Sequence, residues 1–155
     1  MLALTLGVVF IQWQRASRHE GSELDCGFNE MAAAVDGPRA AMDDHLRSAE
    51  RCLSRATGLV VLEPRALVAL AIVRELPHKL GSPLPVEPAA DADAPDLAQR
   101  YVAELLAHGR PDVALPWLAR PAVRRLWSTE LATLQAVAQA WQAARAAKTA
   151  ASSRL

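Results

Sequence analysis

The side chains that could do chemistry are few and scattered. His45 and Cys52 lie seven residues apart, and Glu75 and His78 form a Glu-x-x-His pair. A cysteine beside a histidine can act as a thiolate nucleophile. Glu-x-x-His, used twice with further glutamates, is how di-iron carboxylate bundles hold their metals. On a helix, however, two turns, about 10 Å of rise, separate His45 from Cys52. That is too far for a direct hydrogen bond. The Glu-x-x-His pair occurs once and Pro77 falls inside it. His19, Glu20, Glu23, Asp25 and Cys26 are ligands by type but lack a ligand's repeated spacing. The sequence therefore points to no catalytic residue, no cofactor and no metal. A metal-binding or thiol-dependent enzyme built on His45, Cys52, Glu75 and His78 is the alternative.

Cys26 and Cys52 are too few for a disulfide framework and match no zinc pattern. They read as two buried thiols, with a single bridge as the other outcome in an oxidising compartment. The net charge is zero, so no general field draws the chain to nucleic acid or anionic lipid. The charge is uneven, though. Val113 to the end holds Arg120, Arg124, Arg125, Arg145, Lys148 and Arg154 against one acid, Glu130. No aromatic–basic interleaving marks a nucleic-acid surface there, and the bases read as a solvated helix face. Lysine occurs only at Lys79 and Lys148. With abundant alanine and proline, that bias suggests a GC-rich, bacterial genome.

Helices must position these groups. The apolar share is 52%, carried largely by alanine and leucine, the residues that favour helix most. The expected class is all-α: a small bundle of about five to six helices, a proline-rich connector and a short N-terminal apolar helix. Met42, Leu46, Ala49, Leu53 and Ala56 make one stripe at helical spacing. Asp36-Gly37-Pro38 precedes it as a start signal and Gly58 follows as a stop. Phe28, Met31, Ala32 and Val35 mark a shorter helix before it. Leu59 to Leu62 is the one strand-like run, and without a partner it reads as a connector. Ala66 to Val73 has no polar residue, which predicts a central helix buried all round. Trp127, Leu131, Leu134, Ala138 and Trp141 form a second stripe, predicting one long helix from Pro121 to Lys148.

Between Pro77 and Pro95 stand five of the ten prolines, a stiff linker. The organisation expected is an apolar segment at 1–15, a helical half at 25–76, the linker at 77–95, a second helical half at 96–148 and a fraying tail at 149–155. Gly109-Arg110-Pro111-Asp112-Val113-Ala114-Leu115 resembles the turn of a tetratricopeptide repeat. No second copy follows at the repeat period, so the segment is taken as an αα-hairpin.

Met1 to Trp13 is almost wholly apolar but covers about 18 Å as a helix, short of a bilayer's hydrocarbon core of about 30 Å. Two readings stand: the end of a membrane helix whose beginning is absent, or a short helix packed on the core. Arg15 and Arg18 follow it, which puts the body in the cytoplasm under the first reading, and a cytoplasmic body is the expectation under the second as well.

The functional expectation is a non-enzymatic helical protein-interaction module, tethered to a membrane or free. Its candidate surface is Trp117, Arg124, Arg125, Trp127 and Trp141, since tryptophan and arginine are enriched at binding hot spots. The partner is another protein or a second copy, and nucleic acid is not expected. A fragment of a longer membrane protein with a cytoplasmic helical tail is a further alternative.

Overall fold

The computed structural model describes residues 21–58, 63–88 and 94–153. The apolar run Met1–Trp13 and the connector Leu59–Leu62 lie outside these residues. The chain folds as an all-α bundle with no strand among the described residues. Its elements are α1 (21–36), a 3-10 turn (Arg39–Ala41), α2 (Met42–Thr57), α3 (Pro64–Lys79), α4 (Pro95–Ala107), α5 (Pro111–Leu118), α6 (Pro121–Arg124) and α7 (Thr129–Ser152).

Helix starts follow the expected chemistry. Pro64, Pro95, Pro111 and Pro121 each open a helix, where a missing N–H leaves no bond unmade. Glu63 caps α3 by accepting from the backbone N–H of Arg65 and also holds the Arg65 guanidinium at 2.7 Å. That guanidinium keeps the Glu63 carboxyl below its ordinary pKa. A depressed carboxylate contributes stability that is present above the ordinary carboxylate range and lost as pH falls through its folded value. Asp112, held by Arg110, shares that sign. Acid titration should therefore lower the chain's stability between about pH 5 and pH 2. Glu63→Gln should cost about 1 kcal/mol at neutral pH and flatten part of that acid slope. Urea unfolding of both proteins at several pH values measures it.

One buried cluster runs through both helical halves, from Leu24 and Phe28 on α1 to Trp141 and Ala144 on α7. α3 packs on α2, α4 and α7, and α7 packs on α5 and α4 as well. The helices on either side of the proline-rich segment thus pack into one core. Residues 80–88 are tied back to the bundle through Leu80, which packs against the core, and through side-chain hydrogen bonds of Ser82 and Glu87. Ser82 meets His108 at 3.0 Å, and Glu87 accepts from Trp117 Nε1 at 3.1 Å.

The α2 stripe is as expected: Leu46, Ala49, Leu53 and Ala56 are buried, while Asp43, Arg47, Arg51 and Arg55 face solvent. Across it lies α1, where a Cβ on Gly27 would sit 2.5 Å from Leu53. Only glycine lets the two helices approach so closely. Beside this contact Cys26 and Cys52 are bonded as a disulfide, so the reading of two separate thiols is replaced. Their Cα atoms stand 6.0 Å apart, within the span a bridge requires.

Other expectations change. α3 is apolar all round from Ala66 to Val73, yet only one face is buried, and Leu67 is 45% exposed. Among the described residues the helix packs on α2, α4 and α7, with Val68 and Leu70 half-buried against the core, and its Leu67 side is left uncovered. It also runs through Pro77 to Lys79, because a proline one turn from a helix end removes only one bond. The long helix expected from Pro121 is two helices. Ser128 takes an extended conformation and its hydroxyl accepts from Leu131 N–H, which restarts the chain as α7. Trp127 therefore stands in the break, off the stripe it was assigned to.

Candidate cleft at the junction of α4, α5 and α6

Of the expected surface residues, Trp141 is fully buried and Trp117 is 6% exposed. Both belong to the core. Trp141 leaves its indole N–H without a hydrogen-bond partner among the described residues. Trp127 is 39% exposed, and the Arg124 guanidinium lies 5.4 Å from its ring centroid. That distance suits a cation–π contact. Arg125 is exposed beside it. No carboxylate among the described residues lies within ion-pair reach of Arg124 or Arg125.

These three residues flank, in sequence, Val123 and Leu126, which line an apolar cleft. Trp117 forms its floor, Leu97 and Ala98 of α4 one wall, Val123 and Leu126 the other, and Glu87-Pro88 its rim. Tyr101 tilts against Trp117 with ring centroids 4.9 Å apart and fixes the floor. Burial pushes the Tyr101 phenol above its ordinary pKa; Glu87 adds to that rise and Arg120 opposes it. Glu87 bonds both the Trp117 indole N–H and the Arg120 guanidinium, so the proline-rich strap is pinned at the cleft's edge. Leu97 remains 43% exposed although it lines the wall. A large apolar side chain half exposed beside a tryptophan floor is a contact surface that the described residues leave uncovered.

The residues of the enzyme alternative go separate ways. His45 bonds Glu30 at 2.7 Å across α1 and α2. Cys52 is bonded to Cys26. Glu75 and His78 are both exposed on α3. Glu23, Cys26 and Cys52 are the one group among the described residues with three ligand atoms within 4.8 Å of one another. Its two sulfurs are joined to each other, and a disulfide sulfur is not the thiolate a metal needs. Glu23 also faces Arg55 at 3.7 Å.

No protein-family model, characterised protein or solved structure matches the chain. The cleft is thus interpreted from its own geometry.

Sequence reasoning missed the cleft's walls. Leu97 and Leu126 are single apolar residues on different elements, 29 positions apart by their numbers. The available signal was Ser128-Thr129-Glu130, a helix start that would have freed Trp127 from the long stripe and Leu126 from the long helix.

Proposed function

We propose that the chain is a helical protein-interaction module whose docking surface is the cleft between α4, α5 and α6. The observation that carries this is the half-exposed Leu97 beside the Trp117 floor, with Arg120 and Glu87 among the lining residues and with Arg124, Arg125 and the exposed Trp127 flanking the wall residues Val123 and Leu126 in sequence. An apolar centre with an aromatic and arginine border is the composition of a binding hot spot. The charge at the border selects a partner segment with one or two large apolar side chains flanked by aspartate or glutamate. Direct capture tests the proposal: a photo-reactive amino acid at position 97 of the full chain, irradiated in the host cell. A defined crosslinked protein that disappears with Trp127→Ala and Arg124→Glu supports it. Crosslinks only to this chain itself would make the surface a self-association face, and no crosslink would remove the proposal.

The placement of the body is also a proposal. The Cys26–Cys52 bridge favours an oxidising compartment, since such bridges persist where thiols are not kept reduced. Arg15 and Arg18 favour the cytoplasm if Met1 to Trp13 enters a membrane. The bridge is a feature of the folded body, and on that ground the oxidising side is preferred. Among the described residues, no helix is long and apolar enough to cross a membrane. Alkylation of thiols in intact cells before lysis separates the two: both cysteines protected on the oxidising side, both labelled on the other.

A further inference from the structure

Five large apolar side chains stand exposed among the described residues. Leu67 is on α3. The other four, Leu84, Val86, Leu97 and Trp127, lie on the proline-rich strap, on the cleft's wall or next to it in sequence. Val86 is 92% exposed, the most of the five. Its backbone is held in place from both sides. Glu87 beside it accepts from the Trp117 indole N–H and the Arg120 guanidinium, and Pro85 and Pro88 have fixed φ. A projecting valine thus stands at the rim of an opening whose floor is a tryptophan.

The cleft calls for apolar side chains beside acids, and this chain itself contains such a segment. From Leu84 the sequence runs through Val86, Glu87, Asp91, Asp93 and Asp96 to Leu97 with no base. The charges match in the same way. Asp96 is exposed next to Leu97 and joins no ion pair among the described residues. Arg124 and Arg125, exposed between Val123 and Leu126, join none either. One region therefore carries a knob and an opening, an unpaired acid and two unpaired bases. A surface that holds both halves of each match is complementary to itself, the condition for two copies to meet about a two-fold axis. An unrelated segment would fill the opening but leave Val86 and Asp96 uncovered.

We propose that the occupant of the cleft is a second copy of this chain, in a two-fold dimer. Val86 of each copy covers the Trp117 floor of the other, and Asp96 of each pairs with the other's Arg124 and Arg125. The dimer rests on the cleft being a docking surface and supplies its occupant. A contact centred on one strap and one cleft belongs to the small, reversible class, with a dissociation constant of about 1–100 μM.

Sedimentation velocity of the full chain across that concentration range should show a monomer–dimer equilibrium. Val86→Asn should weaken association about 10-fold, the scale of leaving one valine side chain unburied. Asp96→Arg alone, or Arg124→Asp with Arg125→Asp, should weaken it by a similar factor. All three changes together should restore it, because the reversed charges still match. These positions are exposed, so each variant should keep the wild-type circular dichroism. An unaltered chain gives a second reading: a peptide with leucine and tryptophan flanked by glutamates should dissociate the dimer. A chain that stays monomeric overturns the dimer. If that peptide still binds the monomer, the cleft's docking role stands; if it does not, both fall. A dimer unmoved by Val86→Asn, one lost instead with Leu67→Asn, or a triple reversal that fails to recover would each overturn the proposal.

Discussion

Trp141→Ala is expected to lower the unfolding free energy by about 3–5 kcal/mol, the cost of emptying a large aromatic site in a packed core. Trp141 is fully buried on the one helix that touches α3, α4 and α5 together, so no single neighbour can move in to fill the void. Small domains have about 5–15 kcal/mol to lose, and the variant should be partly unfolded at 37 °C. Trp141→Phe separates volume from polarity. It removes the indole N–H that has no partner among the described residues, and so relieves a desolvation cost while giving up part of the ring. Its loss should stay below about 1.5 kcal/mol. Equilibrium urea unfolding of the three proteins reads both numbers. Equal losses for alanine and phenylalanine would show that the site relaxes freely and is not the close-packed centre described above.

The second large effect belongs to the bridge between α1 and α2. Cys26 and Cys52 are 26 residues apart, and closing a loop of that length removes unfolded-state entropy worth about 3.5 kcal/mol in the chain-entropy treatment. Reduction, or Cys26→Ser with Cys52→Ser, is expected to cost about 3 kcal/mol. The folded helices should stay in place. α1 buries Leu24, Phe28, Met31 and Ala32 against the core, and Gly27 seats it on Leu53 whether or not the sulfurs are joined. The discriminating observation is therefore a shift in unfolding midpoint with little change in far-ultraviolet circular dichroism of the native state. Loss of helix on reduction would mean that the bridge, rather than the α1–α2 packing, holds α1 down. No shift would mean that the bridge does not form in solution.

The fold was legible where local pattern and tertiary packing agree. The α2 stripe, the prolines Pro64, Pro95 and Pro121 that open helices, and Gly109, which takes φ +71 after α4, read directly from spacing and residue type, whereas Pro111 reads as part of a connector. Patterns shared by more than one structure misled. Trp127 fits a seven-residue stripe with Leu131 and Trp141, and only the Ser128 cap breaks the run. Ala66 to Val73 looks uniformly buried, but how many sides of a helix are covered depends on neighbours that periodicity cannot count. Partly the same holds for the sites. Arg124, Arg125 and Trp127 were visible as residue types. The cleft's walls, Leu97 and Val123, come together only through the α4–α5 hairpin and the turn into α6. The bridge was open in the sequence as one of two outcomes, since two cysteines alone do not say which helices are adjacent.

The central claim is that the cleft floored by Trp117 takes an apolar segment bordered by acids. A fluorescently labelled peptide pair tests it most directly: a central leucine and tryptophan flanked by glutamates in one, by lysines in the other. Titration of the full chain should show saturable binding of the acidic peptide, weakening as salt is raised because Arg124 and Arg125 supply attraction that ions screen. Leu97→Glu, at an exposed position, should abolish that binding without changing the fold. Equal binding of both peptides, or binding untouched by Leu97→Glu, would contradict the account.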